Sequence, residues 1–285
     1  MPQVPWSFPM VLDFTLTSVA AGAFLVALTH SVQHRAGWEP VGRLGALGSL
    51  LFFLGPPWLL LDPAEARQAW RLLMNLDMTS PLGWGFPLMG VCGLTVLMHA
   101  WAVLRNRTRD ASRWGLWGIF PMLVLPAYGG CLLTFGGAWT FARSGLIPLL
   151  FVETALLGGV ATVVLLARVL RPVGWTPPNP RVLDHLGRWT LGLLLGEVVL
   201  LVGHVLFLAV WIPSAQASLR LLMTELWGIV SIGIVGVVGV MVPVFILGIR
   251  GLREDLDFSA AAAFFTLIGV FAVRYVAVVG AQAAG

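Results

Sequence analysis

The segment "LMTELWGIVSIGIVGVVGVMVPVFILGI", residues 222–249, decides the fold class of this chain, because Glu225 is its only charged residue. A helix needs about 20 mostly apolar residues to cross the hydrocarbon core of a bilayer. The segment is therefore predicted to span a membrane as an α-helix. Its glycines give it a small face for close helix packing: Gly228, Gly233, Gly236 and Gly239.

The rest of the chain has the same character. Of 285 residues, 58% are hydrophobic and 11% charged, and the mean hydropathy is +0.90. Soluble domains carry about 25% charged residues, so we expect one integral membrane domain over residues 1–285. Membrane lipid is its expected surrounding partner. We expect no nucleic acid partner despite the basic pI, and no cleavable signal, because the start lacks basic residues.

Seven further apolar runs resemble the first, and charged or Pro/Gly-rich breaks separate them. We predict an all-α integral membrane protein with eight transmembrane helices. The expected spans are 10–33, 43–61, 82–104, 114–135, 144–168, 187–212, 222–249 and 258–280.

The arginines set the predicted orientation. All 17 basic residues are Arg; twelve lie in the loops after spans one, three, five and seven, and four lie in the other loops. Because positively charged loops stay in the cytoplasm, we predict that both termini lie on the extracytoplasmic side. The expected location is the bacterial cytoplasmic (inner) membrane.

Polar residues at membrane depth are costly and are therefore candidate functional residues. Asp13, Thr17 and Tyr128 are predicted at similar outer depth, in spans one and four. A quinone needs hydrogen-bond donors to its carbonyls and a nearby proton acceptor, within an apolar sleeve. These three residues could supply that chemistry. Alternatively, they are a helix-start Asp and an interfacial Tyr of the aromatic belt.

A second set of ionisable residues lies in the later spans: Glu153, Glu197, His204, Glu225 and Arg274. Glu197 and His204 are seven apart and share a helix face, and Glu225 and Arg274 could pair. The functional interpretation is a proton pathway. The structural alternative is a buried salt bridge that holds the helices in register.

Histidines and cysteines suggest no metal site. His30, His34 and His99 fall near the arginine-rich ends of spans one and three. A haem with two histidine ligands there is conceivable, but we expect surface residues or residues that support others. Cys92 and Cys131 are expected to be packing residues, since iron–sulfur clusters take about four ligands.

Several stretches, taken together in chain order, resemble the NrfD/polysulfide-reductase family of respiratory membrane subunits. The patterned outer segment "LLLDPAEARQAWRLLMNLDMTSPLGWG" (59–85) resembles the outer loop of that family. The other matching stretches are "FTLTSVAAGAFL" (14–25), "AYGGCLL" (127–133), "SGLIPLLFVETALLGG" (144–159) and "FAVRYVAVVGAQ" (271–282).

The resemblance implies two four-helix bundles, residues 10–135 and 144–280, with a quinone site in the first and no haem. Tyr128 matches the family's quinone-contacting tyrosine. Asp13 and Thr17 stand where relatives have polar residues such as Asn or His, and Glu153 stands near an expected Ser. A ferredoxin-like iron–sulfur subunit, with a molybdopterin catalytic subunit, would dock on the outer loops. The docking residues would be Asp62, Arg67, Arg71, Asp77 and Trp84.

The expected function is thus the quinone- or quinol-reactive subunit of a respiratory oxidoreductase. It would exchange electrons between menaquinone or ubiquinone and a partner that holds the iron–sulfur clusters, and it would not act on the terminal substrate itself. Proton translocation, the direction of electron flow, the terminal substrate and the oligomeric state stay open. The alternative is a proton-coupled secondary transporter or channel without a redox partner, and a haem b quinol subunit is a third interpretation.

Overall fold

A computed structural model describes residues 8–33, 37–55, 81–135, 144–216, 219–220 and 225–280, and over these ranges it contains helices and no strand. The first six helices are α1 Phe8–Gln33, α2 Glu39–Phe53, α3 Gly85–Leu104, α4 Thr108–Phe135, α5 Leu146–Leu170 and α6 Pro180–Trp211. The next helix, α7, comprises Glu225–Gly228, the π-helical stretch Ile229–Met241 and Val242–Gly248. The last, α8, is Leu256–Tyr275, continued by π-helical turns over Val276–Gly280.

Helix length and hydropathy confirm the predicted all-α membrane class. Seven helices in the described ranges are long and apolar enough to cross a membrane, namely α1 and α3 to α8. Helix α2 has 15 residues, and the predicted second span, 43–61, runs on beyond Gly55 into residues outside the description. The eighth span therefore stays a prediction, as does the orientation of the termini.

Helix α1 is the central helix, since it packs against α2, α4, α5 and α8. Its tightest contact is with α5, where Gly22 faces the backbone of Ala155 and Gly159. A Cβ on Gly22 or on Gly159 would overlap backbone atoms of the facing helix. This contact, which we call the α1–α5 seam, confirms that the "SVAAGAFL" stretch provides a small packing face.

Helices α3 and α4 pack against each other beside α1. A single 3-10 turn, Pro81–Trp84, leads directly into α3. The Cys92 thiol of α3 donates to the Pro121 carbonyl of α4, at 3.5 Å. Cys92 is fully buried among apolar side chains, which confirms the packing interpretation for this cysteine.

On the arginine-rich side, polar contacts fix the ends of α6 and α8. The Asn179 side chain caps α6 by accepting from the Val182 N–H at 2.9 Å. Asp184 accepts from Arg253 Nε at 2.8 Å and also binds Arg188. Side-chain oxygens at helix starts satisfy N–H groups that lack a partner within the helix, so the helix ends here are firmly defined.

Close approach also joins α7 to α8. A Cβ on Gly239 would stand 2.5 Å from the Gly269 Cα, so neither position has room for a side chain. Of the four glycines predicted to form a packing face in this span, Gly239 makes that contact. The π-helical stretch of α7 lies around this crossing.

Candidate functional site

The Tyr128 side chain lies where α4 passes the start of α3. Gly85 is the first residue of α3, and its backbone donates a hydrogen bond to the Tyr128 phenol oxygen. The first N–H groups of a helix have no partner within it and form its positive end. A Cβ on Gly85 would stand 2.9 Å from that oxygen, which is closer than real Cβ atoms come. Glycine at position 85 is therefore what lets the phenol reach the helix start.

Asp13 and Thr17 lie on α1 beside the same region. The Phe14 ring is 3.4 Å from where a Cβ on Gly129 would stand, so α1 and α4 are in contact next to Asp13 and Tyr128. Asp13 is half-buried. The Thr17 hydroxyl donates to the Asp13 carbonyl of its own helix at 2.7 Å, so its hydrogen is already used. Thr17 is thus available to a ligand only as an acceptor. We call Asp13, Thr17, Gly85 and Tyr128 the outer cluster.

Of the predicted docking residues, Trp84 alone falls within the described part of the chain. It ends the 3-10 turn before α3, and 58% of its surface is exposed. Its backbone neighbour is Gly85, so it lies beside the outer cluster. The other four predicted docking residues lie outside the described residues: Asp62, Arg67, Arg71 and Asp77.

Three ionisable residues of the second set converge between α5, α6 and α8. Glu153, Glu197 and Arg274 lie close enough to interact electrostatically. Glu153 Cγ is 3.9 Å from where a Cβ on Gly196 would stand, which places it against the α6 backbone next to Glu197. Glu197 and Arg274 are 1% and 0% exposed. We call these three residues the acid–arginine cluster.

Arg274 is held by backbone carbonyls rather than by a carboxylate. Its two terminal nitrogens donate to the carbonyls of Val270 and Phe151, each at 3.2 Å, and its guanidinium lies 5.1 Å from the Phe151 ring centre. Among the described residues, both Glu153 oxygens and one Glu197 oxygen are buried without a hydrogen-bond partner. Buried carboxylates without partners are costly, so this cluster is a candidate functional site.

The structure describes the surroundings of His204, whereas the Glu225 side chain lies outside the described residues. His204 is buried and lines a mainly apolar cavity of about 200 Å³ between α5, α6, α7 and α8, and Ser231 is another polar group in that lining. Val273 and Val276, on either side of Arg274, also line this cavity. The predicted Glu225–Arg274 pair concerns a Glu225 side chain outside the described part.

The burial of His99 was not predicted from the sequence. His99 is 0% exposed and packs between α1 and α4, so the surface interpretation is wrong for this residue. The apolar run around His99 does not by itself predict which face of the helix is buried. His99 lies four residues after Thr95, so both are on the same face of α3, and that face is buried. The His30 side chain and all of His34 lie outside the described residues, so the two-histidine haem idea is not tested. Within the described ranges no three His, Cys, Asp or Glu residues form a metal-binding group.

Together these features define a multi-pass membrane protein with one polar cluster at the start of α3 and a second inside α5, α6 and α8. The sequence model of the family "Polysulphide reductase, NrfD" matches residues 1–284. The chain therefore belongs to this family, and it is a transmembrane oxidoreductase subunit of the polysulphide reductase type.

Two relatives illustrate the range of the family. The "Protein NrfD homolog" of Haemophilus influenzae is 20% identical over 304 aligned residues, which cover 96% of this chain and 93% of the relative. A selenate reductase subunit of Mesobacillus selenatarsenatis is 22% identical over 324 aligned residues, which cover 98% of this chain and 74% of the relative.

Proposed function

We propose that this chain is the quinone- or quinol-reactive membrane subunit of a respiratory oxidoreductase. The observation that carries the proposal is the Tyr128 phenol, seated on the backbone of Gly85 at the start of α3. Family membership and the name of the selenate reductase relative support it from outside the site. Quinol oxidation releases two electrons and two protons, and quinone reduction consumes them.

The outer cluster has the groups that this substrate requires. A phenol can both accept and donate a hydrogen bond, and we assign Tyr128 as the donor to a quinone carbonyl when the substrate binds. Asp13, half-buried on the adjoining helix, is assigned as the proton acceptor during quinol oxidation and the proton donor during quinone reduction. The fully buried Phe24 and Met122 lie deeper between the same helices and keep water out from below.

The partner in this proposal is a ferredoxin-like iron–sulfur subunit on the outer face, itself joined to a molybdopterin subunit. Trp84 is exposed beside Gly85, so a partner that covers it would bring its nearest cluster close to the quinone site. Electrons would pass between Tyr128-bound quinone, either menaquinone or ubiquinone, and that cluster. The terminal substrate would be decided by the molybdopterin subunit.

Substitution of the two assigned residues tests the quinone site. We expect Tyr128→Phe and Asp13→Asn each to lower kcat/KM for decylubiquinol or menadiol about 100-fold in the purified complex, because each removes a positioned proton donor or acceptor. The matched control is Tyr275→Phe, the other tyrosine, which stacks on Phe271 and Trp227. Co-purification of the partner proteins reports assembly. Turnover equal to that of the control in both variants would refute the assignment.

We also propose that the acid–arginine cluster handles protons that are moved during turnover. The supporting observation is that two buried carboxylates face one arginine, and that arginine is anchored on backbone carbonyls. Full ionisation of both acids would bury an uncompensated charge, which is costly, so the cluster would hold a proton between them. His204, seven residues from Glu197, would extend this pathway along α6. In proteoliposomes of the complex, Glu197→Gln should lower proton movement per quinol; unchanged coupling would remove Glu197 from the pathway.

The proteins that co-purify with the chain distinguish our proposal from the alternative, a proton-coupled transporter. Mass spectrometry of the complex isolated from native membranes should identify a cysteine-rich iron–sulfur protein, as our proposal requires. Isolation without a redox partner would favour the transporter. A reduced-minus-oxidised absorption spectrum of the isolated chain tests the third interpretation, a haem b quinol subunit, because haem gives a sharp band.

A further inference from the structure

His99 is a buried histidine that the quinone site does not use. It lies on α3, about 21 Å along the helix axis from Gly85 at 1.5 Å per residue, and none of its surface is exposed. Its Nε2 lies 3.3 Å from the Ser31 hydroxyl of α1. Its Nδ1 is buried and has no hydrogen-bond partner among the described residues. A buried polar atom without a partner costs about 1–3 kcal/mol, so packing alone does not explain this residue.

A cavity reaches Ser31 from the arginine-rich face. Its volume is about 230 Å³, enough for several water molecules. The polar residues of its lining are Ser31, Glu39, Arg43, Asn106, Arg107 and Thr108. Arg43 donates to the Asn106 side chain at 3.0 Å, and Arg107 lies over the Trp101 ring, 4.5 Å from its centre. Glu39 is the acidic residue in this lining.

Ser31 is the link between the cavity and His99. It is 3% exposed, and its hydroxyl contacts both Nε2 of His99 and the Ala27 carbonyl, the latter at 3.4 Å. The Ser112 hydroxyl of α4 donates to the Ser31 carbonyl at 2.5 Å, which fixes this part of α1. A hydroxyl both donates and accepts, so Ser31 has the chemistry of a relay between water and the imidazole.

Between His99 and the outer cluster, apolar side chains fill the space between the helices. The Phe24 ring centre is 4.6 Å from the His99 ring centre. Buried residues continue this layer as one apolar cluster: Ala21, Phe24, Cys92, Val96, Met122 and Leu125. A Cβ on Gly118 would overlap Phe24, so α4 lies directly on this layer. This apolar layer separates His99 from the outer cluster.

We propose that His99 is a proton-binding site that opens to the arginine-rich face through Ser31 and is closed toward Tyr128 by the apolar layer. In the loading step, a hydrated proton in the cavity binds Ser31 Oγ while the hydroxyl's own hydrogen passes to Nε2 of His99. Ser31 stays neutral and the imidazole gains one positive charge; release runs in reverse. Glu39 attracts the proton into the cavity, and Arg43 and Arg107 oppose its accumulation there.

This site is the inner half of a proton path, on the side opposite the quinone site. Its access to water does not rest on the proposed quinone function, which can fail while the path stands. If both hold, a proton taken up at His99 during turnover comes from the face opposite to Tyr128. That arrangement would make electron transfer at the outer cluster electrogenic.

Hydrogen–deuterium exchange at the imidazole C2 position, read by mass spectrometry on the isolated complex over a pH series, tests the site without any quinone. We expect the His99 exchange rate to show a sigmoidal pH dependence, as an imidazole that titrates with bulk water does, and Ser31→Ala to slow it at least about tenfold. Ser31→Thr retains a hydroxyl and should restore the rate. The matched control is Ser49→Ala, which removes another buried serine that bonds only its own helix.

Two results would overturn the proposal. One is the absence of pH-dependent exchange at His99 while the exposed His185 exchanges fully. The other is the same His99 rate in Ser31→Ala and in the unaltered complex.

Sidedness is tested with a membrane-impermeant maleimide on a chain that carries Cys92→Ala and Cys131→Ala. Asn106→Cys, exposed on the arginine-rich face, identifies the vesicles that present that face. In those vesicles alone, Ser31→Cys should be labelled. The buried Ser18→Cys, beyond the apolar layer, should stay unlabelled. Equal labelling of both positions, or labelling of Ser31→Cys from the opposite face, would refute a path that ends at His99.

Discussion

Gly85→Ala should slow quinol turnover about fivefold by displacing the Tyr128 phenol. The new Cβ would stand 2.9 Å from the phenol oxygen and 3.4 Å from two ring carbons. The ring must therefore move by about 0.5 Å to reach an ordinary contact. That movement breaks the hydrogen bond from the Gly85 backbone, which contributes about 1 kcal/mol. A loss of this size in the transition state lowers kcat/KM about fivefold.

Gly90→Ala is the matched control for this substitution. It lies on the same helix, and a Cβ there meets no atom within 4 Å. Gly90→Ala should favour the helix by up to about 1 kcal/mol, and thermal unfolding of both variants reports that they are folded. Turnover with menadiol should fall in Gly85→Ala alone. Adding Gly85→Ala to Tyr128→Phe should cause no further loss, because contacting residues are not additive. Equal turnover in both alanine variants would refute the role of the phenol.

Three further predictions concern stability, measured as thermal unfolding in detergent. Gly159→Ala should destabilise the protein by about 2 kcal/mol, because its Cβ would overlap backbone atoms of α1. Gly192→Ala, where a Cβ meets open space, should not. Equal effects of the two substitutions would contradict the close contact at the α1–α5 seam. Asp184→Asn should lower the unfolding temperature by a few degrees, since it leaves the largely buried Arg253 without its carboxylate; no change would show that this ion pair is dispensable. Arg274→Met should cost about 3 kcal/mol by leaving buried acids without a cation, and adding Glu153→Gln should recover part of it; an additive loss would mean the two do not interact.

The membrane class was predictable because it depends only on run length and apolar content, and within the described part of the chain α1 and α3 to α8 meet that criterion. The placement of Tyr128 near a helix start was partly predictable, since the "TSPLGWG" stretch ends at Gly85. The contact between them was not predictable, because it depends on how α3 and α4 cross. The burial of His99 was also not predictable from the sequence. A histidine near the end of an apolar run is typical of a surface position, and only the packing of α1 and α4 around it makes it internal.

The acid–arginine cluster shows the same limit. Helical periodicity placed Glu197 and His204 on one face of α6, and both are buried. It could not place Glu153 and Glu197 together beside Arg274, since that juxtaposition joins residues more than 40 positions apart in the chain. The sequence predicts a pair between Arg274 and Glu225, and this stays a prediction because the Glu225 side chain lies outside the described residues. The described contacts of the two terminal nitrogens of Arg274 are to the backbone of α5 and α8.

The α1–α5 seam fixes the distance between the two helices that it joins. Packed helices usually lie 8–10 Å apart according to the side chains between them, but Gly22 and Gly159 meet backbone to backbone. No rotamer change can absorb strain at such a contact, so these two positions limit how closely α1 and α5 can approach. A relative with a larger residue at either one must hold the two helices further apart and widen the spaces on both sides of them. The residue sizes at these two positions therefore indicate, from the sequence of a family member, how far apart its helices α1 and α5 lie.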